Sequence, residues 1–286
     1  MVEEKISQTK DQENVENKLK NSKDSKLTTA KSHGEILKQQ IIEGQETYDK
    51  NSVSILLSSL TAGLEIGFSY IMICAVFFFL TGRVEEDAAH KAVSLVYPIG
   101  FILVIMGQSI LFTEQTSLLT LPVLNGKRSF GSLMRIWGLV ILGNLLGGYA
   151  IAAILVWIGP KLEIFDHNTI EKVALHAADY NKFIIFVSAM IAGWLMGLLS
   201  WLMAASKSTL SRIVIIFMIT SVLSFTGLHH SIVGNVEVFA GFISSAEITF
   251  TIYISFILMA LLGNAIGGAF FVALLKYRAF VYEAQG

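Results

Sequence analysis

Six long apolar runs, at roughly 54–80, 92–124, 130–158, 183–205, 210–243 and 248–275, limit what this 286-residue chain can fold into. Each exceeds the ~20 residues that carry a helix across a hydrocarbon core. With no water in that core, a span must satisfy its own backbone hydrogen bonds. The expected class is therefore an all-α integral membrane protein with six transmembrane helices. The chain is 53% apolar and only 15% charged, against roughly 25% charged in a soluble domain. Its formal net charge of −1 lacks the basic excess of a nucleic-acid binder. The single cysteine, Cys74, sits in an apolar run, which excludes an intrachain disulfide framework and a Cys-based zinc site.

Two of the runs are too long. The second and fifth cover 33 and 34 residues, about 50 Å as straight helix at ~1.5 Å per residue, against a core of ~30 Å. Both are interrupted midway by polar residues: Gly107-Gln108-Ser109 through Phe112-Thr113-Glu114-Gln115-Thr116, and Thr226-Gly227-Leu228-His229-His230-Ser231 through Gly234-Asn235. Broken second and fifth helices are the natural reading. The interruptions take the same place in each set of three spans, and other echoes agree. Leu142-Gly143-Asn144-Leu145-Leu146-Gly147-Gly148 recurs as Leu262-Gly263-Asn264-Ala265-Ile266-Gly267-Gly268, and Ala62-Gly63 with Gly67 recurs as Ala192-Gly193 with Gly197. Three spans per half force the second half to enter from the opposite face. The expectation is two inverted three-helix repeats, about 51–158 and 183–278, with a transport site where the breaks meet.

Residues 1–50 form a charged leader with 9 of the 21 Lys/Arg and 10 of the 22 Asp/Glu. No apolar h-region with a cleavage site lies there, so no removable signal peptide is expected. Up to about Ser32 the leader should be disordered, and from Gly34 to Tyr48 the apolar spacing predicts a short amphipathic helix. Residues 279–286 are read as a short tail. Lys127, Arg128, Arg135, Lys207, Arg212, Lys276 and Arg278 fall at one end of the spans, and the acidic 81–91 and 159–182 loops at the other. The positive-inside rule then puts both termini in the cytoplasm of a cell-membrane protein.

Inside the spans the ionisable residues are Glu65, Glu114, His229, His230 and Glu237. Charge at the bilayer centre costs at least ~2.5 kcal/mol, so such groups face a cavity or a partner. His230, in a break, reads as a pathway residue, the alternative being a histidine bonded between helices. Unwound backbone and half-helix N-termini there favour an anion. Thr113 is brought opposite His230 by inverted symmetry, unless it ties off a freed carbonyl. Asn144 and Asn264 either cap the unwound loops or line the pore. Leu111 and Phe112 are constriction candidates, an apolar ring resisting hydrated ions, with lipid exposure as the alternative. Glu65 and Glu114 would repel an anion if ionised, so at least one is expected to be neutral or paired to a histidine. Glu65 also reads as a helix-packing partner, and Glu237 as a residue near the positive end of the second half-helix. Adjacent histidines seldom converge on one ion, and without a Cys cluster or a spaced His pair neither metal nor cofactor is expected.

Leu111-Phe112-Thr113, the Gly227-Leu228-His229-His230-Ser231 loop with Asn235 after it, and the doubled Gly-Asn runs resemble the formate/nitrite transporter family over about residues 40–278. The resemblance implies an aquaporin-like six-helix protomer, a homopentamer with one pore per protomer, and transport of small monovalent anions or their conjugate acids. Its central pair would map onto Thr113 and His230, with Leu111 and Phe112 near the constriction and Asn144 and Asn264 close to the pore. Family members often have Ser after the loop threonine and Glu before the loop histidine. Glu114 and His229 stand there in this chain, which looks like a divergent inner-membrane branch.

The leading expectation is a channel or proton-coupled transporter for a small monovalent weak-acid anion, with the proton and the lipid bilayer as its other partners. A passive aquaporin-like channel for neutral solutes is the rival on the same fold, although no Asn-Pro-Ala pair is present. An integral-membrane enzyme or metalloprotein using His229, His230 and the glutamates, and a membrane scaffold working through the leader, are the rivals from other classes.

Overall fold

Short polar side chains start most of the helices. Ser32, Asn51, Ser129, Asp166, Asn181, Ser208 and Thr249 each accept a backbone N–H from the first turn that follows, satisfying a donor the helix cannot. The computed structural model describes residues 31–285, and Asn17 before them. The disorder expected of the leader concerns residues that otherwise lie outside this range. The amphipathic helix expected over 34–48 is present as α1 (His33–Asp49), closed by a capping box between Ser32 and Glu35.

In chain order follow α2 (Ser52–Leu80), α3 (Glu86–Ala92), α4 (Pro98–Met106), α5 (Phe112–Leu124), α6 (Phe130–Ile158), α7 (His167–Ala178), α8 (Lys182–Ala205), α9 (Thr209–Phe225), α10 (Ser231–Ser244) and α11 (Phe250–Ile266). After α11 the winding loosens to a π-helix over Gly267–Leu274, and α12 (Leu275–Gln285) follows. Among the described residues five helical stretches are long and apolar enough to cross a membrane: Ser52–Leu80, Glu86–Met106, Phe130–Ile158, Lys182–Ala205 and Phe250–Glu283. The fifth run, expected as a broken helix, is divided between α9 and α10, each shorter than the membrane-length stretches.

Glycine sets the closest packing. α2 lies on α6 and α8 on α11, and a Cβ on Gly147 would collide with the Leu60 carbonyl as one on Gly267 would with that of Met190. The two helices before the breaks, α4 and α9, pack on each other. Those after the breaks exchange sides: α10 packs on α2 and α6, α5 on α8 and the π segment. This exchange draws both break tips to the middle. At one end α1 and α12 join, with Ile36, Leu37, Trp201, Tyr277 and Phe280 buried together. Gln40 Nε2 donates to the Ser200 carbonyl (3.2 Å) and the Tyr48 hydroxyl to that of Leu119 (2.9 Å). At the opposite end lie the short helices α3 and α7.

Candidate transport site

Both interrupted helices end in the same way. In α4 the Gln108 N–H donates to Ile105 O and the Ser109 N–H to Val104 O; in α9 the Gly227 N–H donates to Ser224 O and the Leu228 N–H to Leu223 O. These are Schellman closures, which require a left-handed residue just past the helix. Gly227 supplies it at φ 67° and Gln108 at φ 60°. Three residues further on, each chain turns into a new helix, with Leu111 and His230 as the respective N-caps.

Two asparagines hold the turned segments. Asn144 Oδ1 accepts the Phe112 N–H (2.8 Å), while its Nδ2 donates to Ser59 O (2.7 Å) and Ile110 O (2.9 Å). Asn264 repeats the pattern, accepting the Ser231 N–H (2.8 Å) and donating to Ala189 O (2.7 Å) and His229 O (3.1 Å). Both side chains are fully buried. Of the two roles open to these amides, the geometry is that of caps on unwound backbone, which freed polar groups inside a membrane demand.

The break tips meet at Thr113 and His230. Thr113 Oγ1 and His230 Nε2 are 2.7 Å apart, and both residues are buried. Val233 N–H donates to His230 Nδ1 (3.3 Å), so in the neutral ring the proton is on Nε2 and is donated to Thr113 Oγ1. The Thr113 hydroxyl hydrogen is thereby left to donate elsewhere. Phe101 stands edge-on to the imidazole at 5.0 Å between centroids. Leu111 and Phe112 are buried in the apolar core, Phe112 edge-on to Trp137, rather than exposed on the outer surface.

A cavity lies on each side of this pair. One of about 310 Å³ opens beneath α1 and is lined by Gln40, Glu43, Gln108, Glu114 and Arg212. The other, about 70 Å³, is lined by His229, His230, Glu237, Tyr97, His90 and His176. Among the described residues neither Glu114 nor Glu237 has a hydrogen-bond partner, and neither is paired to a histidine. His229 is held by Ser188, whose Oγ is 2.8 Å from Nδ1, and its ring faces Tyr180 at 5.2 Å. Glu65 lines neither cavity. It stands behind the first break, with Oε1 3.6 Å from where a Cβ on Gly107 would be and with Oε2 buried and unpartnered. No group of three or more His, Cys, Asp or Glu able to hold a metal occurs among the described residues.

The sequence reading missed His90 and His176 as vestibule residues, because they lie in flanking helices 86 positions apart and no motif joins them. From its place in the sequence Glu237 reads only as a residue near a helix start; the packing adds the cavity it lines.

The family model described as formate/nitrite transporter matches residues 34–278. The chain is 30% identical over 244 residues to the inner membrane protein YfdC of Escherichia coli (strain K12), covering 82% of this chain and 74% of that one. It is 28% identical over 227 residues to the nitrite transporter NirC of the same organism, covering 78% and 82%. Among solved structures it superposes on an FNT family ion channel with a TM-score of 0.76 at 25% identity, covering 85% of this chain and 98% of that one. A pentameric formate channel with formate bound shares the fold with a TM-score of 0.68 at 19% identity, covering 80% and 98%. The relatives named for an activity are transporters and channels, not enzymes. With five membrane-length apolar helices among the described residues, a match across most of its length and paired helix breaks closed by the same hydrogen bonds, this membrane protein belongs to the formate/nitrite transporter family.

Proposed function

We propose that the chain carries a small monovalent weak-acid anion, formate- or nitrite-like, together with a proton, through a pore centred on Thr113 and His230. The observation that carries this reading is the 2.7 Å contact between them, made by the tips of two helix breaks and flanked by a cavity on either side. In the proposed architecture the transport domain, 51–278, is six spans in two inverted repeats, with the 1–50 leader and both termini in the cytoplasm. The recurrence of cap and closure at a constant offset supports it: Gln108 and Gly227, Leu111 and His230, and Phe112 and Ser231 are each separated by 119 positions. Assembly as a homopentamer is part of the same proposal, by analogy with the pentameric formate channel.

An anion entering either cavity meets the positive ends of half-helices. At the centre the Thr113 hydroxyl, polarised by the His230 N–H, donates to an anion oxygen. The Thr113 hydroxyl proton passes to that oxygen as the His230 Nε2 proton passes to Thr113, and the co-transported proton from solution restores Nε2. The ring and hydroxyl end unchanged, and the neutral acid passes the dry surroundings of Leu111 and Phe112 at far lower cost than the anion. His229, Glu114 and Glu237 line the approaches, and Glu65 supports the first break.

Uptake of labelled formate and nitrite into proteoliposomes across a pH series tests this. His230→Ala is expected to abolish the pH-dependent component. Thr113→Val is expected to slow uptake about tenfold or more, as for a lost hydrogen bond to a charged group, while Thr113→Ser retains it. Unchanged pH-dependent uptake in His230→Ala overturns the reading.

A further inference from the structure

At the end of the molecule remote from α1, two imidazoles lie face to face. His90 on α3 and His176 on α7 stack with centroids 3.7 Å apart and planes at 10°. The His90 ring also contacts Phe77, at 4.4 Å between centroids. Beyond the pair lies an open cavity of about 320 Å³, lined also by Glu86, Lys172, Asp179 and Tyr180. His90 and His176 are the two residues shared by its lining and that of the 70 Å³ cavity reaching His229 and His230. The pair therefore stands between the outer mouth and the vestibule of the buried site.

The charges around it are largely spoken for. On α3, Glu86 is bridged to Lys172 of α7 (2.6 Å) and Asp87 to Lys91 (2.5 Å). Glu86 Oε1 is 4.0 Å from His90 Nε2. On the remaining elements the titratable groups facing the pair are Asp179 and Tyr180 after α7, His229 in the second break, Tyr97 before α4 and Glu237 on α10. Two neutral imidazoles tolerate this stacking. Two imidazolium rings at the same separation repel each other, unless an anion accepts hydrogen bonds from both.

Resting on the transport reading above, we propose that His90 and His176 form an outer capture site for the small monovalent oxyanion, assembled when both rings of the pair are protonated. Anion and proton then bind with reciprocal linkage, each raising the affinity for the other, and the pair delivers both into the vestibule of His230. Burial holds the His176 imidazole below the ordinary histidine value of 6.5, with Asp87 and Glu86 opposing, so loading belongs to the acid side of neutrality.

The test uses the full chain in nanodiscs, labelled with 13C at the histidine Cε1 positions, and formate as the probe. At about pH 5.5, on the acid side of the ordinary histidine value, formate should shift the His90 and His176 resonances and raise the pH at which they titrate. That response should persist in His230→Ala. In proteoliposomes the ratio of formate uptake at about pH 5.5 to that at about pH 7.5 should fall about threefold or more in the His90→Gln/His176→Gln double variant. If wild-type protein takes up formate while both resonances ignore it in acid, this inference alone is overturned. The same holds if the double variant keeps the wild-type ratio. If neither formate nor nitrite is taken up at any pH, the transport reading fails, and this one with it.

Discussion

His230 serves the backbone and, in the proposed reading, the pathway with a single ring. Nδ1 accepts the Val233 N–H as an N-cap while Nε2 reaches Thr113, so the cap fixes which nitrogen points at the other break. The equivalent cap position in the first break is Leu111, which has no side-chain acceptor, and there Asn144 takes over through the Phe112 N–H. Three positions before His230, Gly227 occupies the left-handed region, and a Cβ built on it would meet nothing within 4 Å. Gly227→Ala is therefore a test of backbone strain without steric clash. It is expected to cost about 1–2 kcal/mol, read as a lower midpoint of thermal unfolding in detergent. No loss would mean that the turn relaxes into another conformation.

At the scale of the helix, the breaks depend on amides reaching across from neighbouring spans. Asn264→Ala removes three hydrogen bonds, at about 1 kcal/mol each. The expected result is a loss of about 3 kcal/mol in denaturant unfolding and faster hydrogen exchange of the Ser231 amide. Unaltered exchange there would show that the break holds without its cap. The other pH-sensitive element is α1. Its first residue, His33, lies edge-on to Trp201 (5.2 Å) and Phe280 (5.8 Å). Burial, reinforced by the charge of Lys276, holds this imidazole below 6.5. A lowered histidine pKa means that the undocked state binds the proton more tightly. Docking of α1 is therefore firm above pH 6.5 and weakens as pH falls through and below that value. Protection of the His33–Asp49 amides, that is, exchange corrected for its intrinsic base-catalysed rate, should fall between about pH 7.5 and 5.5, and His33→Phe should remove that fall.

Over the whole molecule, large apolar side chains face outward along most of the chain. Leu57, Phe68 and Phe79 on α2 and Phe217, Met218 and Val222 on α9 are all exposed in the protomer. Surfaces of this kind are covered by lipid or by another subunit, and the proposed homopentamer divides them between the two. Native mass spectrometry from nanodiscs should give five copies per particle. A monomer retaining full transport would remove the pentamer from the proposal.

Much of this design is legible in the residue order because a bilayer punishes exceptions. Polar stretches such as Gly107-Gln108-Ser109 inside a 33-residue apolar run have no tolerated place except a break facing protein or a cavity. The matched Gly-Asn runs likewise announce close helix crossings with an amide to spare, although whether that amide caps or lines was open until its three partners were known. Chain order could not supply the distances. α5 and α10 each pack on the other trio of helices, and that exchange alone sets Thr113 against His230. The stacking of His90 on His176 depends in the same way on how α3 meets α7, since two imidazoles in separate polar connections carry no pattern before the helices dock. Solvent exclusion and backbone satisfaction are local demands written residue by residue, so the sequence by itself determined the all-helical membrane class and the places of the two breaks. Contact between side chains more than 80 positions apart is a property of the packed helices, so only the tertiary structure decided which polar groups share a cavity.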